Sequence, residues 1–206
     1  MLALRELLGV LGAHQWRERG VLVPALGARV HPHYGVFSPT RSEYVDLVAR
    51  APLPALTRTA FDLGTGTRLG LTARIDVPEP CLYPDGRADL VVCNPPRLPA
   101  HPVSDLAQGV YDPDSRMLRG FFAGLTAHLE PGGEGWLVSS ALAERLGLRN
   151  RAELLDLFGA AGLRVAGRID TTPRHPKAAA TEDSLHAARA GEVTSLWRLR
   201  ARPLVR

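Results

Sequence analysis

The stretch that most constrains this chain is residues 88–99, ADLVVCNPPRLP. Leu90, Val91 and Val92 form an apolar run suited to a strand buried on both faces. The run stops at Asn94-Pro95-Pro96. Neither proline has an amide to donate, so a sheet ladder ends there, and a residue preceding proline is driven out of helical geometry. Asn94 is therefore a polar side chain held rigidly at the carboxyl end of a buried strand, the place where open α/β sheets bind ligands. Upstream, residues 59–67 (TAFDLGTGT) read as a second strand ending in the turn Gly64-Thr65-Gly66-Thr67. Glycines in such a turn let the backbone approach a ligand closely. Each half has a plain alternative, a strand-ending turn; the pair is more informative than either.

The 206 residues suit a single domain with a sizeable core, here divided into a helical lead-in over 1–32 and a larger domain over 33–206. No apolar run approaches the ~20 residues that span a bilayer, and no signal-peptide pattern follows Met1. A soluble cytoplasmic protein is expected. Cys81 and Cys93 offer neither a disulfide framework nor metal-ligand spacing. His31 and His33 flank Pro32 with no carboxylate or cysteine at helpful spacing, so they read as loop histidines, and no metal is expected. The cations exceed the carboxylates by 25 to 21, and all but Lys177 are arginines. They are not clustered, so the charge permits a nucleic-acid partner without implying one.

Along the chain, Leu4, Leu7, Leu8 and Leu11 recur at helical spacing over residues 2–19, with Gly20 as the stop. Residues 21–23 read as a short strand and 24–32 as loop. Tyr44, Val45, Leu47 and Val48 mark a helix capped by Ser38 or Thr40, with Glu43 placed for a capping box with Thr40. Core strands are expected over 57–63, 135–140, 163–170 and 193–200, and a compact one over 74–77. Helices are expected over 116–129, ended by Pro131-Gly132-Gly133, and over 151–161, closed by Gly162.

The Asp62-x-Gly64-x-Gly66 turn followed by Asn94-Pro95-Pro96 resembles motifs I and IV of the class I S-adenosylmethionine-dependent methyltransferases. The likeness is greatest to the small-domain branch, with its release-factor glutamine methyltransferases and its N-methyltransferases of nucleic-acid bases. The resemblance implies an α/β fold built on a Rossmann-like sheet. It implies S-adenosylmethionine as cofactor, held by Asp62, Gly64, Thr65 and Gly66. Phe37 and Thr40 lie in a Phe-x-Pro-Thr-Arg segment similar to the one that covers the cofactor, although the residues fit an ordinary N-capped helix equally well. It places the target nitrogen at Asn94, Pro95 and Pro96, with Arg97 where the family has an aromatic residue. A guanidinium can also stack on a planar group. The implied partner is a protein of the release-factor kind or a nucleic acid.

The chain departs from the family where the cofactor should lie. Arg68 stands in place of a further glycine, and residues 64–88 number only 25. A parallel crossover takes a dozen or more residues, so the second and third strands of the family sheet are expected to be missing or shortened. No acidic residue has the strand-end position that would bind the cofactor ribose, and Cys81 stands near the place of the adenine motif. Two functions follow: an N-methyltransferase acting on a planar amide or amine nitrogen, or an impaired relative, a deletion product that keeps only a binding role. An incomplete sheet exposes apolar edges, so self-association is also expected.

Overall fold

The computed structural model describes residues 4–31, 42–63, 82–101, 110–173 and 191–203. Helix α1 (Leu4–Arg19) ends at Gly20, whose φ of +68° is left-handed and whose amide donates to the Trp16 carbonyl at 2.9 Å. Strands β1 (Val21–Val23) and β2 (Ala28–Val30) then pair antiparallel across a 3-10 turn at Pro24–Leu26. The segment read as loop after Pro24 thus contains a strand. Its three residues are too few to show a period in the sequence, and the pairing with β1 creates it. Helix α2 (Glu43–Arg50) begins with Ser42 as its N-cap and no side-chain cap bond. Glu43 is the first helical residue instead of the third, and Ser38 and Thr40, the expected caps, lie outside the described residues. Among the described residues, no helix is long and apolar enough to cross a membrane.

The core is a five-stranded sheet. In chain order its strands are β3 (Ala60–Leu63), β4 (Ala88–Cys93), β5 (Leu129–Ser140), β6 (Leu163–Thr171) and β7 (Thr194–Ala201). Their spatial order is β3-β4-β5-β7-β6. The first three run parallel, and β7 is antiparallel to both its neighbours. Helices α3 (Arg116–His128), α4 (Leu142–Arg145) and α5 (Arg151–Ala160) connect these strands. This is a Rossmann-like mixed α/β sheet, as the sequence led one to expect. Residues 74–77, where a further strand was expected, lie outside the described residues.

Both faces of the sheet are covered, which is why β4 is apolar from Leu90 to Cys93. Val91 and Cys93 join Leu137 and Leu199 under Leu118, Phe121, Phe122 and Leu125 of α3 and Leu154 and Phe158 of α5. Phe121, Phe122, Phe158 and Trp197 form a chain of edge-to-face contacts with centroids 5.2–5.4 Å apart. On the opposite face, Leu90, Trp136, Val138 and Leu196 pack against Leu47 of α2 and Ala51 just after it. Helix α3 lies so close to β5 that a Cβ at Gly135 would collide with the Leu125 side chain.

Two further devices set the register. The exposed Asp89 carboxylate accepts hydrogen bonds from the amides of Arg58 and Thr59, each at 2.9 Å, and from Thr59 Oγ1. These bonds lock the approach to β3 onto β4. Helix α5 opens with a capping box, Asn150 Oδ1 accepting from Ala152 N while Glu153 accepts from the Asn150 amide.

The sequence reading misplaced the end of α3. The helix stops at His128, and β5 begins at Leu129, passing through Pro131-Gly132-Gly133. Ala88 pairs with Leu129 but Leu90 pairs with Glu134, so the extra residues bulge out, with Gly132 at φ +84°. A bulge near a strand's start tolerates proline and glycine as readily as a loop does.

Candidate functional site

The site follows from register. Leu63 of β3 pairs with Cys93 of β4, and Cys93 pairs with Leu137 of β5. Leu63 and Cys93 therefore end adjacent parallel strands at the same level, at the carboxyl edge of the sheet, and Asn94 follows there. Asn94 is exposed, Pro95 is buried and Pro96 is half-buried. Pro95 thus anchors the turn while the amide of Asn94 faces solvent. Asp62 is exposed in register with Val92, one residue before Leu63 on the strand that leads into the glycine turn. Gly64, Thr65, Gly66, Phe37 and Thr40 lie outside the described residues.

The turn is fixed on its far side by backbone. The Leu98 amide donates to the Val110 carbonyl at 3.0 Å, and the Asp112 amide donates to the Leu98 carbonyl at 2.8 Å. Asp112, itself buried, turns its carboxylate onto the start of α3 and accepts from Met117 N at 2.9 Å and Leu118 N at 3.2 Å. It thereby satisfies two of the amides that a helix start leaves without intrahelical partners. Asp114 and Ser115 between them both have positive φ, 55° and 53°, a conformation held by this tight entry.

Arg97 is where the sequence reading and the structure diverge in emphasis. Its side chain is 17% exposed, and Nη1 lies 3.4 Å from Oε1 of the buried Glu192. The same Oε1 accepts from Ser140 Oγ. Neither Glu192 nor Ser140 was singled out from the sequence. Glu192 stands alone in a polar stretch about a hundred residues from the turn, and only the return of β7 beside β5 brings it there.

Cys93, directly before Asn94, is a packing residue. Burial, and then the charges of Asp62 and Asp112, push its thiol far above the ordinary range, so it stays protonated and unreactive. Among the described residues no cluster of histidine, cysteine and carboxylate side chains could hold a metal. His31 Nδ1 lies 2.7 Å from the Arg17 carbonyl, and His33 lies outside the described residues. Beyond Pro99, between the start of α3 and α5, a cavity of about 680 Å³ is lined by Arg116, Arg119 and Arg149 and by Asp114, Glu153 and Asp156. Its charges balance and select no ligand class.

No protein-family model and no curated protein matches this chain. Solved structures do. A SAM-dependent methyltransferase from Thiobacillus denitrificans, in complex with S-adenosyl-L-homocysteine, is 19% identical with a TM-score of 0.42, over 81% of this chain and 92% of that one. The N-methyltransferase NodS from Bradyrhizobium japonicum WM9, also with S-adenosyl-L-homocysteine, is 13% identical with a TM-score of 0.39, over 68% of this chain and 66% of that one. StiE O-MT is 19% identical with a TM-score of 0.39 over 68% of this chain, which spans about half (54%) of its length. At such identities and scores the fold is read from the strand order and register themselves.

Proposed function

We propose that this chain is an S-adenosylmethionine-dependent N-methyltransferase acting on a planar amide or amine nitrogen, of a protein glutamine or a nucleic-acid base. One observation carries the reading: β3, which the sequence follows with the glycine turn, and β4, which runs into Asn94-Pro95-Pro96, are parallel neighbours that end at one level, through the Leu63–Cys93 pairing. A group held over the first turn and a nitrogen held at the second would therefore be neighbours. Gly64, Thr65 and Gly66, together with Asp62, Phe37 and Thr40, are the residues that would hold S-adenosylmethionine. When bound, it supplies an electrophilic methyl group.

The remaining chemistry belongs to the turn. An NH2 group has two N–H donors, and the Asn94 Oδ1 and the Pro95 carbonyl are acceptors. Accepting both bonds orients the nitrogen lone pair and stabilises the positive charge that develops as it is methylated. Asn94 is exposed, so the surplus proton can pass to water. Two prolines in succession keep both acceptors fixed without reorganisation.

A specific observation also favours the second reading, an impaired relative with a binding role. Among the described residues β3 is the edge of the sheet, with Ala60 and Asp62 exposed. The deciding experiment is radiolabelled methyl transfer from S-adenosylmethionine to fractionated protein and RNA. Transfer by the wild-type chain that drops roughly 100-fold in Asn94→Ala, with cofactor affinity kept, supports the enzyme. Transfer indifferent to Asn94→Ala removes the site assignment, and binding without transfer selects the second reading.

A further inference from the structure

We infer that Glu192 is a positioning residue for the Asn94-Pro95-Pro96 turn, acting through Arg97. The inference deepens the methyl-transfer reading and rests on it only for its kinetic consequence. Glu192 is 1% exposed. Its Oε1 accepts from Ser140 Oγ at 2.5 Å, within the range of a charge-assisted O–H···O bond, and lies 3.4 Å from Arg97 Nη1. Ser140 is the last residue of β5, and its Oγ also accepts from the Leu142 amide at 3.0 Å, at the start of α4. The Ala141 amide donates to the Val193 carbonyl at 2.9 Å, next to Glu192. One carboxylate thus joins three segments at the same end of the sheet: the exit of β4, the exit of β5 and the entry of β7.

The geometry explains why such a tie is needed. The prolines fix the shape of the turn but not its position, and they supply no amide with which the sheet could hold it. Among the described residues, backbone bonds resume at Leu98. Between Cys93 and Leu98, the Arg97–Glu192 pair is a side-chain anchor for the turn. A buried carboxylate stripped of its partner is strongly unfavourable, so the pair holds Arg97 as firmly as Arg97 holds the turn. Displacing a positioning group by about 1 Å can cost roughly 100-fold in rate.

Hydrogen exchange on the full chain tests this without needing a substrate. Glu192→Ala and Arg97→Met should each raise exchange about tenfold at the amides of positions 94, 97 and 98 and of 140–143. The double variant should exceed neither single one, because both remove the same tie. Arg97→Lys, which keeps the charge, should restore most of the protection. In the methyl-transfer assay, Glu192→Ala should lower kcat about tenfold and leave S-adenosylmethionine affinity unchanged. Unchanged exchange at positions 94, 97 and 98, a uniform rise through β4 and β5, or additive effects in the double variant would overturn the inference. If the wild-type chain transfers no methyl group, the catalytic reading fails, and the exchange pattern still decides whether Glu192 positions the turn.

Discussion

A carboxylate with no solvent exposure has to be surrounded by donors, and Glu134 on β5 is. Arg198 donates to both its oxygens at 2.8 and 2.9 Å, Arg200 Nε to Oε1 at 2.9 Å and Trp136 Nε1 to Oε2 at 2.9 Å. Burial pushes the carboxyl up, but the hydrogen bonds from Arg198 and Trp136 and the Arg198 charge outweigh it and hold it below its ordinary value. The folded chain therefore binds fewer protons here than the unfolded chain. The stabilisation is complete above the unfolded value of about 4.3 and is lost as pH falls through the lower folded value. Glu134→Gln should cost near the low end of the ~3–5 kcal/mol seen for breaking a buried pair, since both arginines keep some access to water. It should also flatten the loss of stability between about pH 5 and 3. Urea melts across that range check both. Some slope should survive, because Asp89 is likewise held low by the Arg58 and Thr59 amides. An unchanged acid limb in Glu134→Gln would show that other carboxylates set it.

Among the elements, the contact of α3 with β5 is the least tolerant, because Leu125 has no exposure and sits directly over Gly135. Gly135→Ala should destabilise by about 1–3 kcal/mol through overpacking, lowering the melting temperature by several degrees. Leu125→Val in the same chain should recover part of the loss. Strictly additive losses in the double variant would place the strain elsewhere. This close approach also shows what a sequence discloses. The Gly20 and Gly162 helix stops, the apolar β4 and the proline-bounded Asn94 were legible because each is a local rule. The strand through Pro131-Gly132-Gly133 was not, since the pairing that makes it a strand comes from Ala88 and Leu90, some forty residues away. Asn150 with Glu153 was legible as a capping box in principle, at Asn-x-x-Glu before an apolar run. Glu192 could not be read at all, because its role exists only once β7 returns beside β5.

For the molecule as a whole, the open question is whether a sheet that ends at β3 among its described residues can hold a cofactor. The 24 residues from Gly64 to Arg87 must supply the parallel crossover from β3 to β4, which takes a dozen or more. Little remains for the strand that, in the resembled family, carries the ribose-binding carboxylate. Hydrogen bonds to a charged partner are worth about 1.5–3 kcal/mol each. Loss of that contact predicts S-adenosylmethionine binding roughly ten- to a hundredfold weaker than in a relative that keeps the strand. Arg68 works in the same direction, since it puts a cation and a long side chain close after the turn that would hold a cationic sulfonium. Calorimetric titration should therefore show weak binding by the wild-type chain and tighter binding by Arg68→Gly. Among the carboxylates of the short interval, Glu79 could restore the ribose contact, provided the segment folds back toward the turn. Low-micromolar binding by the wild-type chain, abolished by Glu79→Ala, would overturn the prediction and show that a shortened connection had rebuilt the pocket with a different residue.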